Sequence, residues 1–260
     1  MAIGGAAAAA ALRAARLLVP PLGTPGQYKG AAGGKVGVVG GCAEYTGAPY
    51  FAGMSALRAG ADLAHVFCAE EAAAAIKAYS PELIVHPALA TRFDGEASSA
   101  GAVRESVPVR TREALDAWVP RMDCLVIGPG LGRDPAMLAG ARHALLAARS
   151  SGVPVVVDAD ALALVASEPA LLQAGGVAGS GGPPVVLTPN ANELGRLVSA
   201  LAPASDAARR AAETGAKPAP RDGAQAVAAV LAGPVVLAKG AEVRGPSRRC
   251  VGRVCASARE

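Results

Sequence analysis

The 260-residue sequence predicts one α/β domain, with a mostly parallel central sheet flanked by helices on both faces. Three observations predict the layered sheet. Short apolar runs recur along the chain, each followed by Gly- or Pro-rich punctuation and then by a longer helical pattern, as in repeated βα units. Most runs are apolar on both faces, which suits strands covered from both sides and joined by right-handed crossovers. Hydrophobic residues make up 52% of the chain but aromatics only 3%, so the core must be built from Ala, Val and Leu.

In chain order, the expected strands are Lys35–Val39, Leu63–Phe67, Leu83–Val85, Cys124–Ile127, Pro154–Val157, Val185–Leu187 and Val235–Ala238. Helical patterns lie between them, at about Pro49–Ala59, Glu70–Ala78, Arg112–Val119, Pro135–Ser150 and Ala191–Ala200. In the helix after Asp134, residues Met137, Leu138, Ala141, Leu145 and Ala148 form a stripe near the 3.6-residue period, which should pack on the sheet. Thr91–Pro108 and Ala202–Asp222 lack apolar periodicity and read as surface insertions, the second leading into a helix through Ala224–Leu231. Residues 1–16, rich in Ala and carrying Arg13 and Arg16, read as a first helix of the fold, with an organelle-targeting segment as the alternative.

Composition narrows the partners. The net charge of +4 is spread along the chain without a block of like charges, so nucleic acid is not an expected partner. No apolar run approaches the roughly 18 residues needed to span a bilayer, so a soluble, cytoplasmic protein is expected, with mitochondrion or plastid as alternatives. The cysteines Cys42, Cys68, Cys124, Cys250 and Cys255 contain no C-x-x-C pair, and His65, His86 and His143 no H-x-x-x-H pair. Reduced thiols acting as small core hydrophobes are expected, rather than zinc ligands or a disulfide framework.

Five segments carry residues suited to chemistry. Gly40-Gly41-Cys42-Ala43-Glu44-Tyr45-Thr46-Gly47 stands between a strand and a helix. It is either an ordinary tight turn or a place where a ligand meets the backbone and a helix N-terminus. Ile127-Gly128-Pro129-Gly130-Leu131-Gly132-Arg133-Asp134 ends another strand, where alternating glycines clear the strand mouth and the next helix can point N–H groups at an anion. Asp158 and Asp160 end a buried strand. They can hold Mg²⁺ through water or act as a base, while Asp160 can equally cap the helix starting at Ala161. Thr188-Pro189-Asn190-Ala191-Asn192-Glu193 has the i, i+3 spacing of a capping box, and its Asn and Glu could also organise phosphate-bound Mg²⁺. Lys239-Gly240 closes a strand with a cation able to reach a phosphate.

Taken in order, these segments resemble the NAD(P)H-hydrate dehydratase family of the ribokinase-like superfamily, in its eukaryotic branch. The likeness is densest from Gly37 to Cys68 and through Tyr79-Ser80-Pro81-Glu82-Leu83-Ile84-Val85-His86-Pro87, and it runs from about Leu17 to Cys250. The resemblance implies that ATP or ADP, with Mg²⁺, phosphorylates the C6 hydroxyl of S-configured NADHX or NADPHX, and that loss of phosphate restores NADH or NADPH. Such chemistry rests on positioning and charge neutralisation. By motif, Gly130, Gly132, Asn190, Ala191, Asn192, Glu193, Leu194, Gly195 and Arg196 would contact the hydrated cofactor. Lys239, Gly240, Ala241, Glu242 and Val243 would contact the nucleotide.

The resemblance also marks a departure. Family members reach a G-G-x-G-D turn whose Asp is the general base, whereas Ser247-Arg248-Arg249-Cys250 leads here into Val251-Gly252-Arg253-Val254. No catalytic residue is therefore assigned, residues 251–260 are expected to be a divergent tail, and very low dehydratase activity is expected. A sheet left partly uncovered would also favour association into a homo-oligomer. Two other functions stay open on the sequence: a non-catalytic binder of NAD(P)HX or nucleotide, and a small-molecule kinase of the same superfamily.

Overall fold

The computed structural model describes residues 33–91, 107–173, 182–201, 220–231, 234–239 and 254–255. Its strands are β1 (Lys35–Val39), β2 (Leu63–Ala69), β3 (Ile84–Leu89), β4 (Cys124–Ile127), β5 (Val155–Val157), β6 (Val185–Leu187), β7 (Val235–Leu237) and β8 (Val254–Cys255). All neighbours pair in parallel, in the order β3-β2-β1-β4-β5-β6-β7-β8. The helices are α1 (Gly47–Arg58), α2 (Glu70–Tyr79), α3 (Val109–Trp118), α4 (Pro135–Ser150), α5 (Ala161–Ser167), α6 (Ala170–Gln173), α7 (Ala191–Leu201) and α8 (Pro220–Leu231). Among the described residues, no helix is long and apolar enough to cross a membrane.

Both faces of the sheet are covered, as apolar-throughout strands require. Val38, Val66 and Cys68 pack with Met54 of α1 and with Ala72 and Ile76 of α2. The alternate residues Val39 and Phe67 point the other way, into a cluster that includes Leu115 of α3 and Met137, Ala141 and Leu145 of α4. Helix α7 buries Leu194, Leu197, Val198 and Leu201, a spacing of i, i+3, i+4 and i+7 that puts all four on one stripe. Each such leucine, when fully buried, contributes roughly 2 kcal/mol.

Some boundaries differ from the sequence expectation, for physical reasons. The third strand was expected to stop before Pro87, yet β3 runs through it to Leu89. Because β3 is the edge of the sheet, its proline breaks only one side of the ladder; the β2–β3 register shifts between Cys68 and Ala69. Helix α8 begins at Pro220, inside the expected second insertion, with the proline in the first turn where its missing N–H costs nothing. The tail expected over residues 251–260 contains the two-residue strand β8, paired with β7 through Val236↔Val254 and Leu237↔Cys255. In α4, Leu138 lies beside the buried stripe and is only partly covered. The expected first helix over residues 1–16 lies outside the described residues, as do nearly all of both insertions.

Beneath the β2–β3 edge is a cluster that no local pattern announces. The His65 and His86 rings stack with centroids 5.2 Å apart, and His65 Nδ1 is 3.0 Å from His86 Nε2. Phe67 and Trp118 pack against His86 at centroid distances of 4.8 and 4.7 Å. Burial above all pushes the His86 imidazole down to about 4, with His65 and Lys77 adding to it. The His65 imidazole is lowered too, by burial and then by Lys35. Both imidazoles lie below their ordinary range and are neutral at pH 7, so one ring nitrogen donates and the other accepts.

Candidate functional site

The chain leaves β1 for β2 and β3 on one side, then returns to lay β4 against the other side of β1. Connections that depart in opposite directions from adjacent strands leave a crevice outside their carboxyl ends, the usual ligand position of open α/β sheets. A cleft of about 700 Å³ lies there, lined by Cys42, Glu44 and Tyr45 after β1 and by Gly130, Arg133 and Asp134 after β4, among others.

The loops around this crevice are bonded to one another. The N–H groups of Gly41 and Cys42 donate to the Gly130 carbonyl at 3.0 and 2.9 Å. Gly130 has a φ of +63°, and a side chain there would run into the Tyr45 carbonyl oxygen, so glycine is what lets the two loops touch. The Gly132 N–H donates to the Asp160 carboxylate at 2.9 Å, tying the β4 loop to the loop after β5. Asp158 continues the chain of contacts, because its Oδ1 accepts from Thr188 Oγ1 and from Lys239 Nζ, each at 2.6 Å. The Lys239 N–H then donates to the Pro189 carbonyl at 2.9 Å. The loops after β1, β4, β5, β6 and β7 thus form one rim.

The two acids part company at Ala159, the only residue other than glycine with positive φ among those described, at +48°. This turn sends Asp158 toward β6 and β7 and Asp160 toward Gly132. Asp160 occupies the N-cap position of α5 but makes no capping bond with its side chain, so its longer reach replaces the local role the sequence suggested. The left-handed conformation costs an L-residue roughly 1–2 kcal/mol, part of which glycine gives back to chain entropy. Ala159→Gly is therefore expected to be neutral or to stabilise by up to about 1 kcal/mol in urea unfolding. A loss of about 1 kcal/mol, the usual cost of Gly for Ala in a helix, would count against strain at this turn.

Anion binding is poorly served at the N-termini of α4 and α7, whereas Thr46 at the N-cap of α1 makes no side-chain capping bond. In α4, Pro135 has no N–H and the Asp134 carboxylate accepts from Ala136 N at 2.9 Å. In α7, Asn190 Oδ1 accepts from the N–H groups of Asn192 and Glu193, each at 2.9 Å, while Glu193 Oε2 accepts from Asn190 N at 2.7 Å. That is a complete capping box, and it occupies the donors a phosphate would use. Lys239 differs: its side chain is 50% exposed beside the 27% exposed Asp158, which leaves ammonium protons facing solvent. Burial, and then Glu44, push the Cys42 thiol up, so it stays protonated and is no nucleophile. Cys42, Cys68 and Cys124 are free thiols.

Of the residues singled out from the sequence, Gly130 and Gly132 line the cleft, and Lys239 joins the rim through Asp158. Asn190, Ala191, Asn192 and Arg196 are exposed on the first turns of α7, and Glu193 and Gly195 are half-buried. Leu194 is 1% exposed, with its side chain in the core rather than on the ligand-facing surface. Gly240, Ala241, Glu242 and Val243 lie outside the described residues. Sequence reasoning missed Glu71 and Thr91 as cleft residues, while Arg133 and Asp134, at the end of the second glycine segment, do line it. Glu71 and Thr91 follow the carboxyl ends of β2 and β3, so attention to every strand end, rather than to glycine-marked ones, would have found them.

Comparison with known proteins agrees with this architecture. The profile of the family described as NAD(P)H-hydrate dehydratase matches residues 36–243. The ATP-dependent (S)-NAD(P)H-hydrate dehydratase of Bos taurus is 50% identical over 190 residues, which cover 73% of this chain and 50% of that protein. Its Homo sapiens counterpart is 48% identical over 190 residues, covering 73% and 47%. The chain spans about half the length of these curated relatives. Among solved structures, a ribokinase-like superfamily protein from Enterococcus faecalis superposes with a TM-score of 0.55 at 20% identity, covering 86% of this chain and 63% of that one. The ADP/ATP-dependent NAD(P)H-hydrate dehydratase from Bacillus subtilis, co-crystallized with ATP/Mg²⁺, superposes with a TM-score of 0.51 at 21% identity, covering 85% and 62%. These two likenesses establish the ribokinase-like fold.

Proposed function

The chain belongs to the NAD(P)H-hydrate dehydratase family, and we propose that it binds S-configured NAD(P)HX along the rim from Gly130 to α7 and a nucleotide triphosphate or diphosphate at Lys239. The observation that carries this reading is the Lys239–Asp158–Thr188 cluster at the ends of β7, β5 and β6, beside the glycine loop of β4. Asp158 accepts a hydrogen bond from the Lys239 ammonium and so orients it; the half-exposed cation can then hold a phosphate as a point charge. The reaction proposed is transfer of the terminal phosphoryl group to the C6 hydroxyl, whose proton is released, followed by departure of phosphate with the C6 oxygen and loss of a proton from C5, which together restore the ring double bond.

Among the described residues, no three His, Cys, Asp or Glu side chains converge as a metal cage. Mg²⁺ is thus proposed to arrive on the nucleotide phosphates, where it neutralises charge, with at most one or two carboxylates of this chain reaching it. Asp158 and Asp160 are engaged with Lys239 and Gly132 respectively, and neither is assigned as the base that takes the hydroxyl proton. With no base assigned, and with the loss of one worth about 10²- to 10⁴-fold in rate, binding of both ligands with slow turnover is the activity proposed for this sequence.

The test is to incubate the chain with S-NADHX, Mg²⁺ and ATP or ADP and to follow dihydronicotinamide absorbance beside calorimetric binding. Binding with little turnover fits the reading. Fast recovery of absorbance would refute slow turnover, and absence of binding would refute the function. Lys239→Ala is expected to weaken ATP binding by about 10- to 100-fold, the worth of one charge-assisted contact, while leaving NADH binding within a few-fold. Equal ATP affinity in the variant would remove Lys239 from the nucleotide site.

A further inference from the structure

Aromatic residues are scarce in this chain, with four Tyr, three Phe and one Trp, yet Tyr45 lines the cleft, Tyr50 and Phe51 follow it on α1, and Tyr79 of α2 meets Tyr50. Three of them hold one another. Tyr50 packs edge-on against Phe51 and Tyr79 at centroid distances of 5.2 and 5.3 Å, and Tyr79 Oη is 2.8 Å from Thr46 Oγ1. Tyr45 takes no part in these ring contacts, lines the cleft and is 59% exposed. Its backbone is fixed nonetheless. The Tyr45 N–H donates to the Cys42 carbonyl at 3.1 Å, and its carbonyl and Cβ lie against Gly130. An exposed ring on a pinned backbone costs little entropy to order when something flat is laid on it.

The charges of the cleft decide what that flat group is attached to. Glu44, Glu71, Asp134 and Asp160 line it against a single cation, Arg133. A polyphosphate would be repelled there, whereas ribose hydroxyls and amide N–H groups would find carboxylates to accept from them. A volume of about 700 Å³ is also ample for a nucleoside.

We propose that Tyr45 is the stacking face for the nitrogen heterocycle of a bound nucleoside, seated in the cleft between the β1 and β4 loops with its phosphates directed out of it. This rests on the nucleotide and dinucleotide binding proposed above. The ring comes from the reduced nicotinamide half of the dinucleotide or from adenine. Specificity for the nucleoside thereby lies on the β1 loop, and the charge of the phosphates is met elsewhere on the rim.

Calorimetry on the full chain and on Tyr45→Ala, Tyr45→Phe and wild type separates these roles, with reduced nicotinamide mononucleotide, AMP and inorganic tripolyphosphate as probes. Tyr45→Ala is expected to weaken one of the two mononucleotides by about 5- to 100-fold, the usual worth of a base on an aromatic ring, and the affected probe identifies the source of the ring. Tripolyphosphate affinity should not change, which shows that the fold and the phosphate site survive. Tyr45→Phe should stay within about twofold of wild type, since it keeps the ring. Unchanged binding of both mononucleotides by Tyr45→Ala overturns the inference, as does a Phe variant as weak as the Ala one, which would point to the hydroxyl. A wild type that binds NADH, S-NADHX and both mononucleotides not at all refutes the proposed function, and this inference falls with it.

Discussion

Gly128→Ala is expected to lower stability by about 3 kcal/mol or more, which for a chain of this size means an unfolding midpoint lower by roughly 6–12 °C. Gly128 ends β4 with a φ of +121°, a conformation nearly reserved for glycine. A methyl group there would run into the Asp158 carbonyl oxygen and stand 2.9 Å from Ala161 Cβ. Neither neighbour can yield easily, because the first is backbone at the end of β5 and the second starts α5 with 1% exposure. Gly60→Ala is the matched control. Its φ is +111° but no atom lies within 4 Å of the added carbon, so only the torsional cost of roughly 1–2 kcal/mol should appear. Equal losses in the two variants, by urea unfolding, would show that torsion alone matters and that the packing of the β4 loop on Asp158 does not.

Acidification is expected to destabilise the protein well above the range where carboxylates titrate, through the paired imidazoles under β2 and β3. An unfolded histidine titrates near 6.5, whereas the native His86 is held down to about 4. Between those values the unfolded chain binds the proton that the native state refuses, so stability rises with pH. The contribution is complete above about pH 6.5, falls as pH drops, and is exhausted near pH 4. Its size is at most about 3 kcal/mol. Lys35 and Lys77 act on the pair in the same direction. Replacing His86 by Phe should flatten the stability profile between about pH 4 and 6.5 relative to wild type. An unaltered slope would mean that other groups set the acid limit.

The parts of the fold that the sequence disclosed are those whose signals are local or complete in themselves. A strand buried on both faces announces itself as an unbroken apolar run, and β1, β4 and β6 have the limits expected from such runs. The capping box of Asn190 and Glu193 was equally legible, because donors and acceptors lie within three residues. Where partners are distant, the same residues misled. Asp160 has the composition of a helix cap but spends its carboxylate on Gly132, 28 residues away, and Asp158 meets Lys239 across 81 residues. The cleft depends on β4 lying beside β1 rather than beside β3, a matter of pairing between strands that no single segment encodes. His65 and His86 meet for the same reason, brought together by adjacent strands.

Pro87 has a consequence for how this chain behaves among its own copies. A free sheet edge is a template on which another polypeptide can add a strand, and runs of Val and Ile are the segments most prone to do so. The outer strand β3 carries Ile84 at 37% exposure and Val85 beside it, the start of such a template. Three residues after Ile84 the ladder loses its donor, and the shift of register at Cys68 and Ala69 bends what remains. The edge therefore offers too short a stretch of matched donors and acceptors to seed a growing β-fibre, and the proline that obscured the strand in the sequence protects the folded protein against that form of precipitation.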